Sequence, residues 1–237
     1  KMQAVILAAG MGKRLGELTK CNTKCMVEVN GIRLIERMLC ILDKKALSRI
    51  IVVIGYEGDR LKDFIGTLDI SVPICYVENK AYDRTNNIYS LALASEYLRE
   101  EDTLLLESDL IFEESLIDCL LTDKRDTLVL VDKFENGMDG TCLILDAEDN
   151  IVDFISGKFL DYDEKNRYYK TVNIYKFSKR FSSQFYLPFL KAYISTMGDN
   201  EYYESVIKFI MLLDKNLIKA KRLVNGEKWY EIDDKPD

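Results

Sequence analysis

The chain opens with an apolar run that gives way to glycine, and the stretch reads Ala4-Val5-Ile6-Leu7-Ala8-Ala9-Gly10-Met11-Gly12-Lys13-Arg14-Leu15. A short, continuous apolar run is typical of a parallel β-strand that is covered on both faces. Small residues at the end of such a strand let a ligand approach the main chain, whose N–H groups attract anions. The stretch therefore predicts a buried strand followed by a loop that can bind phosphate.

The loop differs from two familiar phosphate-binding signatures. No Gly-Lys-Ser/Thr sequence closes it, so it is not a Walker A loop, and it lacks the third glycine of a dinucleotide fingerprint. Arg14 supplies a fixed fork suited to phosphate oxygens, and Lys24 adds a point charge. The residues by themselves leave two interpretations open: a phosphate-binding loop, or an ordinary strand-to-helix turn with solvated basic side chains.

Strands and helices alternate through the first half of the chain. Apolar, strand-like runs occupy residues 4–9, 50–55, 73–77 and 103–107, and apolar residues at helical spacing mark residues 34–42, 60–65 and 87–98. This alternation predicts an α/β fold with a mostly parallel, Rossmann-like mixed sheet flanked by helices.

The rhythm changes after Asp109. Strand-like runs at residues 127–131, 141–145, 151–155 and 169–177 are followed by a helix-rich stretch, residues 185–213, and a last strand, residues 218–223. This order predicts an antiparallel elaboration in the second half. Because no linker rich in proline or serine interrupts the chain, residues 1–237 are expected to form a single domain.

Composition excludes several classes of function. The 33 Lys and Arg face 40 Asp and Glu, a net charge of −7, which argues against nucleic acid or an anionic membrane as a partner. The absence of histidine excludes a Ser-His-Asp triad and a histidine-ligated metal. The six cysteines are scattered and are expected to be reduced thiols. The reduced thiols lead us to expect a cytoplasmic protein. No apolar run approaches the roughly 20 residues of a membrane span, so we also expect a soluble one.

The stretch from Leu7 to Leu15, with Thr19 and Lys24 after it, resembles the signature of the nucleotidyltransferases that join an NTP to a phosphorylated small molecule. That signature reads Leu-Ala-Ala-Gly-x-Gly-x-Arg-Leu, then Pro, Thr and Pro-Lys. Glu17 and Thr23 stand here in place of the two prolines. The resemblance extends along the length of the chain.

The resemblance implies roles for three basic residues. Arg14 and Lys24 would hold the triphosphate, and Lys158, in Ser156-Gly157-Lys158, would lie near the acceptor phosphate. An ordinary surface lysine is the alternative for Lys158. The residues expected to bind the nucleotide are Leu7, Ala8, Ala9, Gly10, Gly12, Lys13, Glu78, Asn86 and Asn87.

The resemblance also implies a metal site. Asp109, at the end of a predicted strand, falls where the family places a magnesium-binding aspartate, and Glu231-Ile232-Asp233 resembles the family's second acidic site. We expect Asp233 to be the ligand there, with Asp234 as the alternative register. Mg²⁺ suits such a pair, because it prefers a few carboxylates together with phosphate oxygens and water.

Within the family, Tyr82 and residues 85–91 are most similar to the phosphocholine and 2-aminoethylphosphonate cytidylyltransferase branch. The residues expected to bind the acceptor are Tyr82, Tyr89, Asp139, Tyr203, Glu204 and Trp229. Packing in the core is the alternative for the tyrosines. Because residues 137–140 are small and acidic, we expect the primary ammonium of 2-aminoethylphosphonate to be preferred over a quaternary choline, which an aromatic cage binds best.

The expected reaction is in-line attack of an acceptor oxygen on the α-phosphorus of CTP, with release of pyrophosphate and no covalent enzyme intermediate. The alternatives are a phosphocholine cytidylyltransferase, a sugar-1-phosphate nucleotidyltransferase and a nucleotide-sensing domain without turnover. Relatives in this branch are often fused to a pyridoxal-phosphate aminotransferase, so we also expect a fused or separate aminotransferase partner and a chain that is part of a longer one. A homodimer is a further expectation.

Overall fold

The centre of the molecule is a nine-stranded mixed sheet. The computed structural model describes residues 1–20 and 22–233, apart from the side chains of Lys13 and Arg14. The strands in chain order are β1 (Met2–Ala8), β2 (Glu28–Val29), β3 (Ile32–Arg33), β4 (Ile50–Ile54), β5 (Ile74–Glu78), β6 (Asp102–Glu107), β7 (Leu110–Phe112), β8 (Leu128–Lys133), β9 (Cys142–Leu145), β10 (Ile151–Ile155), β11 (Tyr169–Phe177), β12 (Lys219–Arg222) and β13 (Trp229–Glu231).

Helices cover both faces of this sheet. They are α1 (Leu34–Asp43), α2 (Gly58–Gly66), α3 (Asn87–Leu93), α4 (Ser95–Glu100), α5 (Ser115–Thr122), α6 (Lys179–Phe181), α7 (Leu187–Met197) and α8 (Glu204–Leu213). Two large apolar clusters form the core. One contains Val5, Val53 and α8, and the other contains Ile6, Val52 and α1, so alternate residues of β1 and β4 serve opposite faces.

The first half of the sheet is parallel, as predicted. Strands β6, β1, β4 and β5 lie side by side with their carboxyl ends at one edge. Every residue of β4 is buried, which agrees with the continuous apolar sequence expected of a strand covered on both faces. The residues that follow β1 and β6 therefore meet at the same edge of the sheet.

The second half adds antiparallel pairing, which confirms the predicted elaboration. Strand β11 runs antiparallel to β6, β8 and β9. Its register shifts between Thr171 and Tyr175, and within that bulge Asn173 has a φ of +67°. Asparagine tolerates this left-handed backbone better than most residues. The bulge bends β11 at the edge where β6 ends, and bulges commonly redirect side chains beside active sites.

Two predicted elements differ in the structure. The expected helix over residues 87–98 is divided into α3 and α4 at Ala94, whose φ and ψ are −92° and 9°. The expected last strand is followed by another, β13, which pairs antiparallel with β7. Sequence patterns did not reveal β7 and β13 because each has three residues, too few to show a period.

No helix in the described part of the chain is long and apolar enough to cross a bilayer. The cysteines at positions 25, 40, 75, 119 and 142 are free thiols. Cys21 lies outside the described residues.

Candidate active site

The loop after β1 is tied down by a threonine. The hydroxyl of Thr23 donates to the carbonyl oxygens of Ala8, at 3.2 Å, and Gly10, at 3.0 Å. Gly12 has a φ of +63°, and a β-carbon there would lie 3.0 Å from the β-carbon of Lys24. Glycine is therefore needed at position 12 for two reasons, its backbone conformation and the close approach of the Lys24 side chain.

A first cavity of about 190 Å³ opens between this loop and the ends of β5 and β6. It is lined by Leu7, Ala9, Gly10, Lys24, Asn79, Tyr82, Thr85, Asn86, Asn87, Ser90, Glu107, Ser108 and Asp109. Most of these side chains are small, apolar or neutral and polar. Such a lining suits a nucleoside, whose base and ribose offer hydrogen-bond donors and acceptors without net charge.

One wall of this cavity is a network around Asn79. Its amide nitrogen donates to Ser90 Oγ at 3.0 Å and to Thr85 Oγ1 at 3.2 Å, and its amide oxygen accepts from the backbone N–H of Ala81 at 2.9 Å. Asn79 is 2% exposed. A buried and satisfied network of this kind holds its members in fixed positions.

Three carboxylates from two distant parts of the chain meet beside the first cavity. Asp109, Glu231 and Asp233 each offer an oxygen, and these oxygens lie within 4.8 Å of one another. The pairing of β13 with β7 brings them together: Glu231 stands opposite Leu110, and the N–H of Ile232 donates to the carbonyl oxygen of Asp109 at 2.8 Å.

Asn173 positions the carboxylate of Glu231. Its Nδ2 donates to Glu231 Oε2 at 2.8 Å, so the bulge in β11 and the acidic cluster are in direct contact. Glu231 accepts this hydrogen bond through one oxygen, and its other oxygen, Oε1, lies 3.9 Å from the ammonium of Lys170.

The ammonium of Lys24 lies between two of the carboxylates. Its Nζ is 3.0 Å from Asp109 Oδ2 and 2.8 Å from Asp233 Oδ1. Burial alone would lower the pKa of Lys24, but the charge of Asp109 and the hydrogen bond with Asp233 raise it above its ordinary value. Burial raises the pKa of Asp109, and the Lys24 charge opposes that rise.

The three carboxylates fit a divalent cation. Asp109 Oδ1 is buried and has no hydrogen-bond partner in the described part of the chain, which is unfavourable for a carboxylate unless a cation or donor lies beside it. Burial also raises the pKa of Glu231 to about 7, with Lys170 opposing the rise. A hard cation such as Mg²⁺ prefers oxygen ligands of this type.

A second, larger cavity of about 610 Å³ lies on the other side of the carboxylates. It is lined by Asp139, Gly140, Thr141, Phe154, Ser156, Gly157, Lys158, Lys170, Thr171, Asn173, Tyr202, Glu204, Ser205, Lys208, Glu231 and Asp233. Burial raises the pKa of Glu204 to about 7. Unlike the first cavity, this one is rich in charges of both signs.

Most of the predicted site residues line one of the two cavities. Leu7, Ala9, Gly10, Lys24, Tyr82, Asn86, Asn87 and Asp109 line the first, and Asp139, Lys158, Glu204 and Asp233 line the second. Tyr82, which was expected to bind the acceptor, lines the first cavity together with residues that were expected to bind the nucleotide. Ala8 and Gly12 shape the loop without lining either cavity. Lys13, Arg14 and Asp234 were also predicted, but the side chains of the first two and the whole of the third lie outside the described residues.

Four other predicted residues are not brought to these walls. Glu78 is exposed, and its neighbour Asn79 faces the first cavity instead. The ring of Tyr203 is fully buried and packs edge-on against Tyr175 at 5.7 Å, and Tyr89 lines neither cavity. Trp229 lines an adjoining cavity of about 370 Å³ and donates from its indole to Asp132 at 2.7 Å.

The sequence reasoning missed several site residues. Glu231 was read as part of the acidic motif, but Asp233 alone was expected to be a ligand. Lys170 and Asn173 lie in the predicted strand over residues 169–177, and neither was given a binding role. A charged residue and an asparagine within an otherwise strand-like run were the available signal, because both are unusual in a buried strand.

The fold and the two cavities define a nucleotidyltransferase. Residues 4–153 match the MobA-like NTP transferase domain, and the chain belongs to that family. The family resemblance expected from the loop after β1 is therefore confirmed.

Three curated relatives are similar to this chain. A CTP:phosphoglutamine cytidylyltransferase from Campylobacter jejuni is 27% identical over 98% of this chain and 96% of its own length. A CMP-5'-(3-aminopropyl)phosphonate synthase from Streptomyces rubellomurinus is 26% identical over 100% of this chain, which spans 37% of that longer protein. A 2-aminoethylphosphonate cytidylyltransferase from Lancefieldella rimae is 36% identical over 49% of this chain and 46% of its own length.

A solved structure confirms the fold. The CTP:phosphocholine cytidylyltransferase of Streptococcus pneumoniae superimposes with a TM-score of 0.78, over 99% of this chain and 94% of that one, at 24% identity.

Proposed function

We propose that the protein is a cytidylyltransferase that transfers CMP from CTP to 2-aminoethylphosphonate and releases pyrophosphate. One observation carries this proposal. The three carboxylates stand where two cavities of different character meet, since Asp109 lines the first and Glu231 and Asp233 line the second. An enzyme that joins two phosphorylated compounds needs this arrangement, in which the two reacting groups meet beside one cation site.

The relatives support CTP as the donor. The three relatives described above are named for CTP, for a CMP product or for cytidylyl transfer. The first cavity offers neutral, polar side chains suited to a cytosine and a ribose, among them Asn79, Asn86 and Asn87.

The second cavity supports an acceptor with a primary ammonium. Glu204 and Asp139 both line it, and carboxylates bind an ammonium through short, charge-assisted hydrogen bonds. A quaternary choline is held best by several aromatic faces. Two aromatic residues, Phe154 and Tyr202, line this cavity, whereas the candidates Tyr89 and Tyr203 do not. The aminoalkyl acceptor is therefore favoured over phosphocholine.

In the proposed reaction an anionic oxygen of the phosphonate attacks the α-phosphorus of CTP. The new P–O bond forms as the bond to the β-phosphate oxygen breaks, and pyrophosphate leaves with the bonding electrons. The attacking oxygen carries no proton in the dianion, so no general base is needed. Lys24, and Arg14 by resemblance, hold the triphosphate, and positioning and charge neutralisation account for the catalysis.

Magnesium is the proposed cofactor. Asp109, Glu231 and Asp233 would hold it, and it would screen the negative charges of the two reacting groups from each other. The aminotransferase partner and the homodimer expected from the sequence stay predictions.

A phosphorylated amino acid is the second candidate acceptor. Lys208 lies one helical turn beyond Glu204 on α8, and both line the second cavity. A carboxylate and an ammonium at this spacing face the same side of a helix. They would suit an acceptor with an α-amino and an α-carboxyl group, such as the phosphoglutamine named for the Campylobacter jejuni relative.

A screen of pyrophosphate release tests the proposal. CTP, UTP, ATP and GTP are each combined with 2-aminoethylphosphonate, 3-aminopropylphosphonate, phosphocholine, phosphoglutamine and glucose 1-phosphate. We expect the highest kcat/KM with CTP and 2-aminoethylphosphonate. A higher value for phosphocholine or for a sugar phosphate contradicts the acceptor, and no turnover with any pair contradicts an enzymatic function.

A further inference from the structure

Lys170 is a buried lysine at the floor of the second cavity. It lies on β11 and is 3% exposed, yet it lines both the second cavity and the adjoining one beside Trp229. Its Nζ donates to the carbonyl oxygen of Thr171 at 2.8 Å, the one hydrogen bond that it makes within the described residues. An ammonium has three donors, so donors remain for a ligand in the cavity.

The surroundings of Lys170 are acidic on two sides. Glu231 Oε1 lies 3.9 Å from its Nζ, and the Lys170 charge lowers the pKa of Glu204 against the effect of burial. Lys170 therefore lies beside one carboxylate of the cation site and lines the same cavity as the carboxylate that we assign to the acceptor ammonium. A buried charge is unfavourable unless it is paired and hydrogen-bonded, and neither carboxylate pairs with Lys170 closely.

Gly140 lies directly beside the Lys170 ammonium, and Gly157 packs against the backbone of Gly140. A β-carbon on Gly140 would lie 3.5 Å from Lys170 Nζ, and a β-carbon on Gly157 would lie 2.9 Å from the backbone N and O of Gly140. The two backbone segments touch here because neither residue has a side chain. The ammonium is thus enclosed by main chain on one side and open to the cavity on the other.

We propose that Lys170 binds the anionic end of the acceptor and neutralises its second negative charge beside the α-phosphate. The proposal rests on the proposed function to the extent that the acceptor is a phosphonate or a phosphate. Glu204 and Lys170 then bind opposite ends of one zwitterion, and Lys170 works in a site from which water is largely excluded, where a charge acts most strongly.

This assignment gives Lys170 the role that the sequence resemblance suggested for Lys158. The Lys158 side chain is exposed, and its Nζ lies 5.0 Å from the ring of Phe159, which is itself 71% exposed. A solvated lysine at the rim of a cavity attracts anions weakly, because water screens its charge. Lys158→Met therefore tests the alternative assignment, in which Lys158 binds the acceptor anion.

The test compares two probes that differ by one negative charge. Methylphosphonate and its monomethyl ester carry no amino group, so the result does not depend on which aminoalkyl acceptor is the substrate. Calorimetry measures their binding to the full chain with Mg²⁺ and a CTP analogue that has a methylene between the α- and β-phosphorus and cannot release pyrophosphate. The pH is set so that methylphosphonate is a dianion. The same titrations are also run without the analogue.

We expect the wild-type protein to bind the dianion at least about tenfold more tightly, the free energy of one hydrogen bond between charged groups. Lys170→Met and Lys170→Gln should reduce that preference to about twofold or less, and Lys170→Arg should keep part of it, since it retains the charge. Lys158→Met should leave it unchanged. Analogue affinity and the melting temperature show that each variant is folded.

An unchanged preference in folded Lys170→Met or Lys170→Gln overturns the proposal, and so does a preference that is lost in Lys158→Met. If neither neutral variant folds, Lys170→Arg decides, and a preference equal to that of the wild-type protein overturns the proposal. A wild-type protein that does not bind the CTP analogue, but shows a preference that depends on Lys170, contradicts the proposed function and supports the role of Lys170.

Discussion

Lys24 Nζ lies 2.8 Å from Asp233 Oδ1, although the two residues are 209 positions apart. The same ammonium lies 3.0 Å from Asp109 Oδ2. Lys24 thus occupies the space between two of the three carboxylates that fit a cation. A cation bound to these carboxylates would compete with Lys24 for Asp109 and Asp233, and the third N–H of the ammonium remains for a phosphate.

Lys24→Met should tighten metal binding in the absence of nucleotide, because it removes a competing cation from the carboxylates. We expect the dissociation constant of Mn²⁺, measured by electron paramagnetic resonance, to fall about tenfold, the equivalent of one hydrogen bond between charged groups. CTP should bind more weakly to the same variant. Lys20→Met is the control, since Lys20 is exposed and faces Glu17 at 4.0 Å. Equal Mn²⁺ affinity in wild type and Lys24→Met would show that Lys24 does not compete with the metal.

Asp109→Asn should abolish turnover and leave the fold intact, because it removes charge but little volume. The expected loss in kcat is about a thousandfold, corresponding to the several kcal/mol that a metal contributes to a transition state. Asp63→Asn, at an exposed position of α2, should have no effect. Pyrophosphate release measures activity, and thermal unfolding checks the fold. Activity of Asp109→Asn within a few-fold of wild type would exclude Asp109 as a metal ligand.

Glu204 should make acceptor binding depend on pH. Its pKa is raised from 4.5 to about 7, chiefly by burial, so kcat/KM for 2-aminoethylphosphonate should rise as the carboxylate forms on passing pH 7. Glu204→Gln should lower that kcat/KM at pH 8 by about 10- to 100-fold, since an ammonium–carboxylate hydrogen bond contributes about 1.5–3 kcal/mol. Phosphocholine should lose much less. The acceptor's own ionisation persists in the variant, so the difference between the two pH profiles reports Glu204.

The raised pKa of Glu204 should also make stability depend on pH. Stability should fall over the pH range in which acceptor binding improves. Because the folded protein retains the Glu204 proton to a higher pH than the unfolded chain, stability falls as pH rises from 4.5 to about 7. Glu204→Gln should therefore be more stable than wild type at pH 8, with the difference shrinking toward pH 5. Urea unfolding at several pH values measures it. Asp139→Asn is the comparison in the same cavity, and a constant stability difference across this pH range would contradict the assignment.

Asn173 should be required for the position of Glu231. Asn173→Gly keeps the left-handed backbone but removes the amide that donates to Glu231 at 2.8 Å, so kcat should fall while stability changes little. Asn173→Ala should lose the same activity and in addition about 1–2 kcal/mol of stability, the penalty of a left-handed conformation for a residue with a β-carbon. Turnover and urea unfolding separate the two effects. Wild-type turnover in Asn173→Gly would exclude the positioning role.

The sequence by itself determined the parts of this protein that depend on local pattern. The apolar run of β1 and the glycines after it predicted the strand and its loop, because a continuous apolar run is buried wherever it lies. The alternation that follows predicted the parallel half of the sheet, and the resemblance carried by residues 7–15 indicated the family that the comparisons confirm. The same resemblance indicated Asp109 as a metal ligand, two residues after the end of β6.

Tertiary structure alone decided which side chains share the site. The short pairing of β13 with β7 places Glu231 beside Asp109, and no local period marks three-residue strands. Tyr203 and Glu204 are adjacent, yet one ring is buried in the core and the other side chain reaches the cavity. Lys158 and Lys170 are the same residue type, and they differ in the structure because Lys170 is buried beside Gly140 whereas Lys158 is exposed. Burial and register depend on contacts between distant residues, which a linear pattern does not contain.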